Sequence, residues 1–85
     1  MTELTTLPNI GPKLAQLLRE AGIPDGETLR ALGCEQAVLR LATRHGREEV
    51  CLHKVTALEG AIQGIPKKEL APERKAELNL FYKGL

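Results

Sequence analysis

The stretch Leu7-Pro8-Asn9-Ile10-Gly11-Pro12-Lys13-Leu14-Ala15 joins a tight turn directly to a helix start, and its reading decides the fold. Pro8 fixes its own φ. Gly11 admits a backbone conformation that a Cβ would hinder, and Pro12 suits the first helical position, where a missing N–H leaves no bond unmade. A positive φ is expected at Gly11, while Asn9 is a residue that tolerates φ > 0 better than most. Free amides at such a helix start point outward as an anion site, and Lys13 adds a mobile positive charge beside them. The same stretch also reads as a well-made helix start with no ligand, and residues 7–15 alone leave both readings open.

Working outward, Leu14, Leu17, Leu18 and Ala21 form one apolar stripe, which predicts a helix from about Pro12 to Ala21. Gly22 stops it and Ile23 returns the chain to the core. Pro24-Asp25-Gly26 is a turn, with Asp25 the expected N-cap of a short helix that carries Leu29 and Leu32 and ends at Gly33. A third helix is expected over about Cys34–Arg44, with Val38, Leu41 and Ala42 inward and Arg40 and Arg44 on a wet face. The longest is expected from about Arg47 to Gln63, because Cys51, Val55, Leu58 and Ile62 recur at spacings of four, three and four. Gly60 inside it costs about 1 kcal/mol relative to Ala, so close approach of another helix is the expected compensation.

Residues Pro66–Leu70 make a connection, and Pro72 starts a last helix through about Lys83. Its candidate buried positions are Ala76 and Leu80 and, on a neighbouring line, Leu78, Phe81 and Leu85. A frayed helical turn is the most that residues 2–6 offer. With no alternating run and no internal repeat, the expected fold is all-α, a compact bundle of about five short helices; the resemblance of its opening turn to helix-hairpin-helix modules implies a helix-hairpin-helix or SAM-like type. It forms a single domain over residues 1–85.

Eighty-five residues bury one modest core and leave no room for a deep substrate cleft besides. Apolar residues make up 42%, yet Trp is absent and Phe81 and Tyr82 are the only aromatics, so the core is built from Leu, Ile, Val and Ala. That composition favours packed helices, and the lack of an aromatic platform argues against single-strand binding. Twelve Lys and Arg against eleven acidic residues give a net charge of +1. Any hold on nucleic acid must therefore be local and weak rather than set by the overall field. Neither a leader-like N-terminus nor an apolar run of about 20 residues is present, so a cytoplasmic chain with reduced Cys34 and Cys51 and no membrane partner is expected.

Catalytic chemistry is sparse. Serine is absent, which excludes Ser-His-Asp catalysis, and the sole Asp is the turn residue Asp25. Glu48 and Glu49 are adjacent and point in different directions on a helix start. Cys34, His45, Cys51 and His53 show no metal-ligand spacing, so neither a metal nor a cofactor is expected. The densest basic cluster is Arg40, Arg44, His45 and Arg47, followed by Lys67-Lys68, each blunted by nearby Glu.

The turn at residues 7–11 is similar to that of helix-hairpin-helix modules, which bind the DNA phosphate backbone without reading bases; Asn9 stands where those hairpins usually have their first Gly. Three segments together carry a more specific resemblance: LPNIGPKLAQLLREAGI at residues 7–23, LRALGCEQAVLRL at 29–41 and ALEGAIQGIPKKEL at 57–70. In order and spacing they resemble the C-terminal domain of the TfoX family of bacterial competence regulators, over nearly the whole chain. That domain accompanies an N-terminal TfoX domain or stands by itself, and this chain reads as a stand-alone copy. The resemblance implies an all-helical, DNA-association-type module linked to DNA uptake and competence gene regulation. Family members often carry an aromatic residue just after the Gly-Ile that follows the long helix, where this chain has Pro66-Lys67.

Two functions from different classes follow. The first is a non-enzymatic domain that associates weakly and without sequence specificity with duplex DNA. Its phosphate contacts are expected at Asn9, at the amides of Ile10, Gly11 and Lys13, at the Lys13 ammonium, and at Arg44 and Arg47 as outer contacts. The second is a protein-interaction or self-association module, with a protein partner or a homodimer seated on the small-residue stretch of the long helix and the hairpin purely structural.

Overall fold

Leu7, Ile10, Leu14 and Ala15 all turn inward, so the opening turn and the helix after it pack as one unit. The computed structural model describes residues 1–85 and contains five α-helices: α1 (Pro12–Glu20), α2 (Gly26–Leu32), α3 (Cys34–His45), α4 (Leu52–Gln63) and α5 (Pro72–Lys83). Short 3-10 turns lie at Leu4–Thr6, Arg47–Glu49 and Lys67–Glu69, and there is no strand. No helix is long and apolar enough to cross a membrane.

Local chemistry explains most of the boundaries. Asp25 caps α2 as its sequence position predicts, its carboxylate accepting from the amide and hydroxyl of Thr28 at 2.8 Å each. After α1, Gly22 takes a φ of +84°, and the amides of Gly22 and Ile23 return to the carbonyls of Arg19 and Leu18. After α4 the same device recurs. Gly64 has φ +77°, and the amides of Gly64 and Ile65 bond the carbonyls of Ala61 and Gly60. In both places a Gly-Ile pair ends the helix and sends an apolar side chain back over it; Ile23 is fully buried there and Ile65 half-buried.

Twenty buried residues form one aliphatic core that draws on all five helices and on the opening turn, with Leu18, Leu29, Val38, Leu58 and Leu78 among its completely enclosed members. Each such Leu contributes about 1.5–3 kcal/mol through loss of apolar surface from water. Phe81 and Tyr82 only flank this core, so the expectation of an aliphatic interior holds.

Two helices differ from the reading of the sequence. α4 begins at Leu52 rather than near Arg47, because Gly46 at φ +100° is followed by the 3-10 turn and then by extended backbone at Val50 and Cys51. Val50 is buried in that extended conformation. The core thus takes up an apolar side chain where a continuous helix was expected, and Cys51 sits half-buried at the N-cap. On α5, Ala76 is exposed and Leu80 is 71% exposed, while Leu78 is fully buried and Phe81, Tyr82 and Leu85 pack on the core. Of the two apolar lines read from the sequence, the one through Leu78, Phe81 and Leu85 faces inward, and a charge on the same helix accompanies it. Arg74, one turn before Leu78, reaches inward to Glu35 on α3 and Glu59 on α4.

Candidate nucleic-acid interface

Asn9, not Gly11, carries the unusual backbone of the opening turn. Its φ is +70°, the only positive value at a residue other than glycine. Gly11 is extended at φ −90°, ψ −179°, and a Cβ there would meet nothing within 4 Å. The expected positive φ at Gly11 is therefore corrected. Asn tolerates the left-handed region because its side chain bonds locally or across a turn, and here that side chain is fully used. Its Nδ2 donates to the carbonyls of Ile65 at 3.0 Å and Ala57 at 3.3 Å, and its Oδ1 accepts from the Lys67 amide at 3.1 Å.

This clasp also accounts for Gly60. A Cβ at residue 60 would collide with Asn9 Nδ2 and stand 2.7 Å from the Ile65 carbonyl oxygen and 3.3 Å from Lys67 Cα. Close approach is what the glycine permits, as its sequence position implies, but the approaching groups are a side chain and a reversing backbone rather than another helix. Ala57, Gly60 and Ala61 are buried in the process, so this small-residue face is covered by the chain itself.

The start of α1 stays open. Its first helical bond runs from the Ala15 amide to the Gly11 carbonyl, which leaves the amides of Gly11, Lys13 and Leu14 without an acceptor in the chain. Lys13 is exposed and makes no ion pair. Ile10 differs from its neighbours. Its side chain is buried, and its amide donates to the Leu7 carbonyl at 3.5 Å within the turn.

The two outer arginines are placed elsewhere. Arg44 lines a groove of about 410 Å³ with Glu20, Ala21, Leu39, Arg40 and Thr43, at the far end of α1, about 12 Å along the helix from Pro12. Arg47 folds over the Tyr82 ring at 4.8 Å and donates to the carbonyls of Tyr82 and Leu85 at 3.4 Å each, fastening the end of α5. What the clasp brings to the turn is the backbone of Lys67, its amide held by Asn9 across 58 residues of sequence, while the Lys67 side chain lines a separate groove with Leu52 and His53. Only the pairing of Asn9 with the Gly-Ile-Pro-Lys connection could have disclosed this, and a single sequence gives no sign of it.

Other perturbed groups serve the scaffold. Arg74 forks onto Glu35 with two bonds of 3.0 Å, reaches Glu59 at 2.9 Å and meets Glu77 at 3.2 Å. Those hydrogen bonds hold the Glu35 carboxyl below its ordinary range and raise the guanidinium further still. Burial pushes the Cys34 thiol up to about 12, and its Sγ donates to the Val55 carbonyl at 3.3 Å, so it is a packed thiol rather than a nucleophile. No group of three or more His, Cys, Asp or Glu is placed to hold a metal ion.

Comparison with known proteins agrees with this architecture. The profile of the TfoX C-terminal domain matches residues 1–82. The chain is 40% identical over 75 residues to protein Sxy of Escherichia coli (strain K12), a match that spans 88% of this chain but 35% of Sxy. It therefore corresponds to about a third of that relative's length. Among solved structures, an uncharacterized protein from Listeria monocytogenes in a triclinic form superposes with a TM-score of 0.92 at 38% identity, covering 98% of this chain and 92% of that one. A protein of unknown function from the same organism, in a tetragonal form, gives 0.89 at 39% identity, with 94% and 96% covered. With its family profile matched almost end to end and its five-helix fold shared with these structures, the chain belongs to the TfoX C-terminal domain family, a family related to competence regulation.

Proposed function

We propose that this domain contributes to competence regulation as a weak, sequence-independent DNA-backbone contact, with the open start of α1 as its point of attachment. The observation that carries this reading is the set of three acceptor-free amides at Gly11, Lys13 and Leu14 beside the unpaired Lys13 ammonium. Oriented amides at a helix start favour a phosphate oxygen, and an exposed ammonium adds counter-charge without reading bases. Asn9 acts in the turn and not on the ligand, since its side-chain amide is already engaged. Ile10 acts as a core anchor under the turn, and Arg44 and Arg47 lie outside the primary contact.

Anisotropy titrations of two short duplexes of unrelated sequence test this reading. Equal affinities for the two, weakened to the same extent by Lys13→Ala, are expected. A marked preference for one duplex, or an unchanged affinity in Lys13→Ala, overturns it.

A second reading draws on a different observation. Leu39 is 40% exposed in the groove between the end of α1 and α3, flanked by Arg40 and Arg44. An apolar floor flanked by Arg40 and Arg44, with Glu20 at its edge, suits a partly apolar protein segment that carries charges of both signs. Failure of both duplexes to bind at low salt, together with a stable dimer on sizing, favours this protein-interaction reading over the first.

A further inference from the structure

Two grooves mark the surface, and they differ in charge. The one beside Leu39 mixes Arg40 and Arg44 with Glu20. The other, about 300 Å³, lies among the first turns of α4, the Lys67–Glu69 turn and α5, and is lined by Leu52, His53, Thr56, Lys67, Lys68 and Lys75. No carboxylate lines it. None of its three lysines makes an ion pair, and Glu69, the carboxylate of the same turn, is exposed and does not line the groove.

The lysines are also held in place. Asn9 pins the backbone at Lys67, and the Lys75 ammonium donates to the Lys68 carbonyl at 3.4 Å, which ties the last helix to the turn. The Thr56 hydroxyl turns back to the carbonyls of Leu52 and His53 at 3.1 Å each. The free donors of the groove are therefore three ammonium groups and the His53 ring. In a chain whose net charge is only +1, this gathers three positive charges without an ion-pair partner around one small concavity.

We propose that this groove binds a phosphate or diphosphate group. Unneutralised ammonium groups gathered at short range repel, and a multiply charged anion relieves that repulsion as it enters. Lysine serves phosphate as a mobile point charge, and three of them suit an anion with oxygens on several sides better than a singly charged carboxylate. The groove does not depend on the duplex reading of the α1 start. It is built from other side chains, and its ligand is either a strand phosphate or a free phosphate-bearing molecule.

Titration of isotope-labelled protein with inorganic pyrophosphate at constant ionic strength, followed through backbone amide resonances, tests the proposal. Saturable shifts in the neighbourhood of residues 52–56, 67, 68 and 75 are expected. Affinity read from these resonances should fall about tenfold in the double variant Lys68→Gln/Lys75→Gln. Lys68 and Lys75 are both exposed, so the double variant is expected to melt like the parent. Shifts that do not saturate, that leave residues 52–56, 67, 68 and 75 unmoved, or that persist at those residues in the double variant overturn the proposal. A second arm adds a short duplex to the pyrophosphate-bound protein. Displacement of pyrophosphate identifies strand phosphates as the source, and its retention identifies a free phosphate ligand; both presuppose the groove site. The duplex reading is judged separately, by the resonances of residues 11–14.

Discussion

Asn9 joins the two ends of the sequence pattern through one side chain. It bends the opening turn at φ +70° and, from that bent position, ties the turn to Ala57, Ile65 and Lys67. Asn9→Ala removes three hydrogen bonds and leaves a Cβ in the left-handed region, so a loss of about 1–3 kcal/mol is expected from chemical denaturation. Asn9→Gly should lose less, because glycine keeps the backbone unstrained. Gly11→Ala, by contrast, is expected to change stability by less than about 0.5 kcal/mol, since its backbone is extended and its surroundings open. Equal stabilities for Asn9→Ala and the parent would remove the clasp from the account. Gly60→Ala probes the same contact from the other side. Helix propensity alone predicts a gain of about 1 kcal/mol, but the Asn9 side chain and the Ile65 carbonyl crowd the site, so a net loss of about 1–3 kcal/mol is expected.

Among the elements, α5 and the N-terminus are held by charge. Arg74 joins α5 to α3 and α4 through Glu35 and Glu59, and Glu59 is the one buried charged residue. Arg74→Ala leaves that carboxylate without its cation and should cost about 2–4 kcal/mol by thermal melting, below the range for a fully enclosed pair because Arg74 is partly exposed. Arg74→Lys keeps the charge but not the fork onto Glu35, and should fall between the two. At the other end, the Thr2 amide and hydroxyl bond Glu27 and hold its carboxyl down at about 2. A folded pKa below the ordinary 4.5 means that this contribution is complete above that pH and is lost as pH falls from 4.5 to about 2. Glu27→Gln should flatten that part of the acid-stability profile. A profile unchanged by the substitution would show that the contact to Thr2 is not maintained in solution.

For the whole molecule, the helix count and most boundaries were legible because they rest on local chemistry: Pro12 and Pro72 at helix starts, Asp25 as a cap, Gly22 and Gly64 at helix ends. Long-range contacts hid the rest. Which apolar line of α5 turns inward depends on long-range packing of Leu78 and on Arg74 meeting Glu35 across 39 residues, and the purpose of Gly60 depends on Asn9, so neither Leu80's exposure nor the absence of a helix crossing is encoded near the residue concerned. The open amides at the start of α1 were readable from Gly11-Pro12. Lys13 beside them was readable too, but the placement of Arg44 at the far end of α1 and of Arg47 against the end of α5 was not.

If the domain meets a DNA backbone at the start of α1, its affinity for duplex must depend on salt. The most direct test is the salt dependence of binding to one short duplex. Two to four phosphate contacts predict a slope of log K against log salt of about −2 to −4, and Lys13→Ala should make it about one unit shallower. A slope near zero, or the same slope with and without the Lys13 ammonium, would contradict the proposal.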